Sequence, residues 1–421
     1  MHTRFDDQQE ETADQELARR LQQPTAVQST GSYSPCAGLN AVNIVKTDFE
    51  SRDQCYVFDV AACAELTSLA VSLSNNTIKL YTARGSGGIA YVGELSGHTD
   101  TISELSFAGA EAPHALYSSS ADGTVRGWDS RTGQQAESFS AGHSKLWSFS
   151  LSGHHLVAGS DGQIIFWDKR TGKQCGAFTD THAEDVTQVK FCQSRLLSGS
   201  VDGLISVFDV ANGFDEDDGF LAALNIDNSV SRIGLYGLQS EKLWCLSHTE
   251  TLHLWEWAAA CDEESSGGQG MLGEDRNTRA SLTQAASLTP GADPLGPALD
   301  YLISCAYTST NNQLMLLAGN NQGAVGCFPV VEPSSPGGVC SFEGPRALLS
   351  GAHDSVVRSV LILVLSSVAE RMLGWFSGLS SPQLVASRRQ QSINPTSELT
   401  ALFQERTAHA ADNHHTERVI N

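Results

Sequence analysis

Three observations predict that this 421-residue chain folds as an all-β propeller, a closed ring of antiparallel sheets. The phrases SADGTVRGWD (120–129), SDGQIIFWD (160–168) and SVDGLISVFD (200–209) are near-copies, and their closing pairs Trp128-Asp129, Trp167-Asp168 and Phe208-Asp209 fall at steps of 39 and 41 residues. Each phrase holds Asp-Gly, or a close variant, between two runs of alternating polarity, a strong hairpin signal because glycine takes up positive φ without a Cβ clash. Ahead of the phrases stand Gly97-His98, Gly142-His143 and Thr181-His182. A period of about 40 residues makes each copy one supersecondary unit that buries its apolar face only against its neighbours.

The elements follow in order. Residues 1–40 read as a disordered N-terminal segment with a short acidic helix over 12–23, and 41–365 as the propeller. Tyr56–Val60 is assigned as the outer strand of the last blade, pairing the two chain ends in one sheet. Blade one is weak: Leu69–Leu73, a turn at Ser74-Asn75-Asn76, then Thr77–Tyr81. Blades two, three and four are the three phrases with their histidines. Blade five runs Val230–Tyr236, Lys242–Leu246 and Leu252–Trp257. Residues 261–297, rich in Gly, Ser, Asp, Glu and Pro, read as a disordered insertion. Blade six runs Tyr301–Tyr307, Leu314–Leu317 and Ala324–Phe328.

Blade seven opens with Gly351-Ala352-His353-Asp354 and a strand over Val356–Leu363; then the pattern stops. The expectation is thus nominally seven blades with the last incomplete, and 366–421 as an unstructured tail or the product of a mispredicted exon. A ring lacking strands of its last blade would expose sheet edges, which propellers avoid.

Composition narrows the functional classes. Lys+Arg number 26 against 48 Asp+Glu, a net charge of -22, so direct nucleic-acid binding is not expected. Ten cysteines include no CxxC pair, which leaves zinc knuckles and thiol redox sites without support. The N-terminus has no apolar core, and Val360–Leu365 is far shorter than the ~20 residues that span a bilayer. The expected compartment is cytoplasm or nucleus, without membrane contact. P-loop, GxSxG and HExxH signatures are absent, so no enzyme, cofactor or metal is expected. The acidic run Phe214-Asp215-Glu216-Asp217-Asp218-Gly219 lacks the ligand spacing of a calcium loop and reads as solvated or as a contact for a basic partner.

The repeats match WD repeats. In blade two His98, Ser118, Asp122 and Trp128 take the places of the WD-repeat hydrogen-bonded tetrad; blade three offers His143, Asp161 and Trp167 with Ala158 at the hydroxyl position, and blade four His182, Ser198 and Asp202 with Phe208 for Trp. Each buried link is worth about 1 kcal/mol net, and about 1–3 kcal/mol is lost when a partner is orphaned. Recurrence at one blade position makes these His–Asp pairs structural rather than catalytic.

Beyond the repeat, Thr181–Phe191 (THAEDVTQVKF), Ser198–Leu204 (SGSVDGL), Ala298–Ile303 (ALDYLI) and Val357-Arg358-Ser359 resemble the WD repeat-containing protein 89 family over about 41–360. The resemblance implies six to seven blades and no known catalytic activity. The family's late Gly-Gly-Glu-Asp phrase and closing Trp are missing here, which bears on ring closure.

Two further features point to partners. Trp128-Asp129-Ser130-Arg131 and Trp167-Asp168-Lys169-Arg170 look like the box by which substrate receptors meet the adaptor of cullin-RING ubiquitin ligases, with Asp129, Arg131, Asp168 and Arg170 as contacts; a guanidinium there can form a forked, charge-assisted pair. The 12–23 helix resembles an inverted ubiquitin-interacting motif, with Leu17, Ala18, Leu21 and Gln22 as ubiquitin contacts and Pro24 as a departure. The expected function is a non-catalytic scaffold for protein–protein interactions in a multiprotein complex. The alternatives are a cullin-RING substrate receptor and a nuclear scaffold in ribosome or RNP assembly.

Overall fold

The computed structural model describes residues 37–46, 55–63, 67–84, 88–261, 270–309, 311–350, 356–360, 372–376 and 383–388. Strand-forming runs divided by Gly, Asp and Asn turns produce six sheets among these residues. Sheet one holds Val57–Ala62, Ser68–Leu73, Thr77–Arg84 and Gly88–Ser96. Sheet two holds Ile102–Phe107, Ala115–Ser120, Thr124–Asp129 and Gln134–Ser140. Sheet three holds Ser148–Ser152, His155–Gly159, Ile164–Asp168 and Lys173–Phe178. Sheet four holds Val186–Cys192, Arg195–Ser200, Leu204–Asp209 and Phe220–Asn225. Sheet five holds Val230–Tyr236, Lys242–Ser247, Leu252–Trp255 and Met271–Asp275, with Gly338–Val339 added in parallel. Sheet six begins with Tyr301–Thr308, Gln313–Gly319, Val325–Val331 and Ala347–Leu349.

The first strand of each sheet lies against the first strand of the sheet before it, and the strands then step outward in order. This is a WD-repeat propeller, with the first strands innermost. Apolar residues of facing sheets close the gaps: Tyr117, Val125 and Phe139 of sheet two meet Phe149, Leu156 and Trp167 of sheet three. The Asp-Gly turns work as expected; Gly123 (φ 79°) and Gly203 (φ 87°) take the left-handed conformation their hairpins require. No helix among the described residues is long and apolar enough to cross a membrane.

Several elements depart from the sequence reading. Tyr56–Val60 does not supply an outer strand: Val57–Ala62 is the innermost strand of sheet one, paired antiparallel with Ser68–Leu73. Val57 and Val60 are buried, as a strand between two neighbours demands. The strand that joins the chain ends is Ala37–Lys46, parallel to Ala347–Leu349 on one side and antiparallel to Gln383–Arg388 on the other. Gln383–Arg388 also pairs with Met372–Phe376, so two strands stand in the stretch read as an unstructured tail.

The stretch 261–297 is not a disordered insertion where it is described. Met271–Asp275 is the fourth strand of sheet five, and the helix Thr278–Ser287 buries Leu282 and Ala286 in one core with Leu295 and Leu299. Its Gly/Ser/Asp composition masked a set of apolar residues that share one face. No separate seventh sheet forms among the described residues. Residues 356–360, expected as part of a strand, have no ladder partner; instead the Val357 N–H donates to Tyr301 Oη (2.7 Å) and Ser359 Oγ to Asp59 Oδ1 (3.1 Å). The segment therefore sits between sheet six and sheet one.

Candidate functional site

The tetrad geometry decides whether the histidines are free for chemistry. In sheet two His98 Nδ1 lies 2.8 Å from Asp122 Oδ2, His98 Nε2 lies 2.8 Å from Ser118 Oγ, and Trp128 Nε1 donates to the same Oγ at 2.8 Å. Burial pushes the His98 pKa down despite the facing carboxylate. Burial also acts to raise Asp122, but hydrogen bonds from Thr124, His98 and Thr99 outweigh it and hold the carboxyl below its usual range. The pair is thus a neutral imidazole on a carboxylate. Sheet four repeats the geometry, with His182 Nδ1 3.0 Å from Asp202 Oδ2 and Nε2 2.8 Å from Ser198 Oγ.

Sheet three does not. His143 and Asp161 are both exposed and share no hydrogen bond, while Trp167 is buried. The loop explains it: His143 stands three residues before the buried Leu146, whereas His98 and His182 stand four before Ile102 and Val186. The ring falls short of the sheet, and Ala158 offers it no hydroxyl.

The turn arginines form a matched pair. Arg131 donates through Nε and Nη2 to Asp129 at 3.2 and 2.9 Å, and Arg170 does the same to Asp168 at 3.3 and 3.0 Å. The arginine hydrogen bonds hold each aspartate down at about 2. Both arginine side chains are 64% exposed, so neither serves to cover a neighbouring strand. Sheet four has Ala211 at the matching place, and there Arg195, from the adjacent strand, pairs with Asp209. The sequence motif hides this third pair because its arginine lies elsewhere in the chain.

A belt of polar residues around the inner strands was also invisible in the sequence. In sheets one, two, four, five and six a bulge interrupts the first strand, and the residues just past it are Asp59, Glu104, Gln188, Arg232 and Ser304. Ser148 takes that place in sheet three. Three of these side chains accept a backbone N–H from the next sheet: Asp59 from Leu105 (2.9 Å), Glu104 from Phe149 (3.1 Å) and Ser148 from Val189 (2.9 Å). Burial pushes the Asp59 carboxyl up, against the Leu105 hydrogen bond and the charge of Arg232. The belt staples sheet to sheet.

The acidic run serves its own surroundings. Asp215 caps the short helix Glu216–Gly219, and Glu216 accepts from the N–H groups of Thr179 (2.7 Å) and Asp180 (3.0 Å) and from the Thr181 hydroxyl. Among the described residues no group of three or more His, Cys, Asp or Glu could hold a metal ion. Leu17, Ala18, Leu21 and Gln22, the ubiquitin candidates, lie outside the described residues.

The WD domain, G-beta repeat model matches residues 90–129 and 133–168, the stretch that holds sheet two and most of sheet three. WD repeat-containing protein GTS1 of Arabidopsis thaliana is 35% identical over 346 residues, covering 80% of this chain and 81% of that protein. The WD repeat-containing protein 89 homolog of Dictyostelium discoideum is 30% identical over 360 residues, covering 83% of this chain and 91% of that protein. With repeat geometry and whole-length similarity in agreement, the chain belongs to the WD repeat-containing protein 89 family of β-propellers.

Proposed function

We propose that this chain is a non-catalytic scaffold that holds partner proteins in a multiprotein complex, in the cytoplasm or nucleus. The observation that carries this reading is the use made of its buried polar groups. His98, Asp122, His182, Asp202, Asp59 and Glu104 are committed to hydrogen bonds that hold strands and sheets together. What remains for function is a stiff surface with exposed, pre-ordered turn residues, which suits docking rather than turnover.

The paired Arg131 and Arg170 favour a second reading, the substrate receptor of a cullin-RING ligase, in which these guanidinia face the adaptor. A role in ribosome or RNP assembly draws only on the net charge of -22, which would suit basic partners. Affinity purification of the tagged full chain beside its Arg131→Asp/Arg170→Asp variant separates them. Loss of a ligase adaptor from the variant supports the receptor. An unchanged partner set leaves the scaffold and names its complex. A wild-type chain that retains no partner would overturn both.

A further inference from the structure

We propose that Trp147, with Asp161, Glu184 and Asp185, forms a seat at one end of sheets three and four for a basic segment of a partner protein, an arginine of that segment lying on the indole. The proposal rests on the scaffold reading and names the chemistry of one partner.

Trp147 stands where its neighbours carry hydroxyls. Ser148 faces Gly159 as Glu104 faces Ser119 and Gln188 faces Gly199, so Trp147 is level with Ser103 of sheet two and Thr187 of sheet four. Ser103 Oγ donates to the Leu146 carbonyl (2.7 Å) and Thr187 Oγ1 to the Val230 carbonyl (2.9 Å), each stapling its sheet to the next. The Trp147 indole makes no such link: its Nε1–H is buried and has no acceptor among the described residues. A buried donor left unpaired costs about 1–3 kcal/mol, so the fold by itself is better served here by Ser or Thr. What the indole offers instead is a half-buried aromatic ring.

That ring already carries a cation of the chain itself. Lys145 Nζ lies 5.7 Å from its centroid, within the ~6 Å over which an ammonium is drawn to an aromatic face. Lys145 is exposed and pairs with no carboxylate among the described residues.

Three carboxylates stand around it. Ser160, fully buried, donates through Oγ to the Lys145 carbonyl (2.9 Å) and accepts the Val186 N–H on its own carbonyl (2.9 Å). These two bonds bring Asp161, next after Ser160, and Asp185, next before Val186, to the side of Lys145. Glu184 is fixed by the Ser200 hydroxyl, which donates to its backbone carbonyl (3.1 Å). Asp161 and Glu184 are exposed, and none of the three carboxylates accepts a hydrogen bond or meets a cation at ion-pair distance among the described residues. Burial, then the charges of Asp161 and Glu184, push the Asp185 carboxyl up against the pull of Lys145. The backbone of this acidic end is therefore fixed before any partner arrives, and it is short of positive charge.

The same geometry selects the occupant. The carboxylates do not converge as metal ligands do, which favours a spread cation with several donors. A guanidinium has five donors in one plane and stacks on indole, so an arginine answers both the ring and the acids. The net charge of -22 repels nucleic acid and leaves a basic protein segment as the source of that arginine. Lys145 shows the ring holding such a charge, and the partner's side chain takes its place.

Titration of fluorescein-labelled tetra-arginine amide with the full chain, followed by anisotropy at physiological ionic strength, tests the seat. Saturable binding is expected, weaker by about tenfold or more in Trp147→Ser and in Asp161→Asn/Glu184→Gln/Asp185→Asn. Glu111→Gln/Asp217→Asn/Asp218→Asn, which removes as many charges from exposed positions elsewhere, should bind as wild type does. Lys145→Ala, which vacates the ring, should bind about threefold tighter or more. Unfolding midpoints should stay at or above that of wild type, in Trp147→Ser because it gains the hydroxyl of its neighbours. Were Trp147→Ser unfolded, the seat carboxylate variant would carry the test, since its side chains hold no hydrogen bonds. No binding, equal binding in wild type and the seat carboxylate variant, or an equal loss in the control variant overturns the seat. Partner retention read in parallel tells the two readings apart. Proteins held equally by wild type and the seat carboxylate variant sink the seat and leave the scaffold; a wild type that holds none sinks both.

Discussion

Lys190 Nζ donates to Glu104 Oε1 at 2.6 Å, joining sheet four to sheet two past the sheet between them. The same carboxylate accepts the Phe149 N–H of that intervening sheet through its other oxygen. One side chain therefore ties three consecutive inner strands. Glu104→Ala should cost about 1–3 kcal/mol, because it orphans the amide of the buried Phe149 and a half-buried ammonium together. Lys190→Met, which leaves the Phe149 link intact, should cost less. Urea unfolding of both variants and the double variant checks this; equal losses would show that the amide bond carries no weight.

Trp128 fills the space between sheets one and two and donates to Ser118. Trp128→Ala should lower stability by about 3–5 kcal/mol as a buried large-to-small change. Both Trp128→Ala and Trp128→Phe remove the indole N–H from Ser118, so the further fall of the midpoint expected in Trp128→Ala reads the lost volume, which Trp128→Phe mostly keeps. An unchanged thermal midpoint in Trp128→Ala would refute the tetrad's structural role.

The parts of this fold that the sequence discloses are the local ones. Asp-Gly between alternating runs places the hairpins of sheets two to four, and a histidine four residues before a buried aliphatic places the tetrads of sheets two and four. His143 misleads because Gly-His is present while the loop behind it is one residue short. What depends on distant pairing stays hidden. Ala37–Lys46 meets Gln383–Arg388 across almost the whole chain, and neither segment names the other. The belt of Asp59, Glu104 and Ser148 emerges only once the bulges set which side chains turn inward.

The tetrad histidines set a pH dependence. An unfolded histidine titrates near ~6.5, while burial lowers the folded values of His98 and His182. Between the lowered values and ~6.5 the unfolded chain binds more protons, so stability rises with pH there. The contribution is fully present above ~6.5 and is lost as pH falls through the folded values. Asp59, raised by burial, acts with the opposite sign: its contribution is present below ~3.9 and lost as pH rises through its folded value. Chemical unfolding from pH 7.5 to 5 should show stability falling in wild type and a flatter profile in His98→Gln/His182→Gln. Parallel profiles would mean that the imidazoles are solvated.

The arginine forks should matter for binding and not for folding. Arg131 and Arg170 are exposed, and exposed ion pairs contribute little. Arg131→Asp/Arg170→Asp should therefore leave the circular dichroism spectrum and the unfolding midpoint unchanged. A lowered midpoint would show that the forks brace the turns, and any partner lost from the variant would then reflect a damaged fold.

Tyr301 and Val357 form the last seam. Tyr301 Oη donates to the Asn320 carbonyl (3.2 Å) and accepts the N–H of Val357, whose side chain is fully buried. Removing the hydroxyl in Tyr301→Phe keeps the ring and its packing but leaves a buried amide unpaired, which costs about 1–3 kcal/mol. Because 356–360 has no ladder to hold it, that cost should fall on the segment before it falls on the ring. Native-state hydrogen exchange should show the Val357 amide opening at least tenfold faster in Tyr301→Phe, with the amides of sheets two and three unchanged. Uniform acceleration across all sheets would instead mean that the seam opens only when the whole propeller does, and that Tyr301 locks the ring rather than the segment.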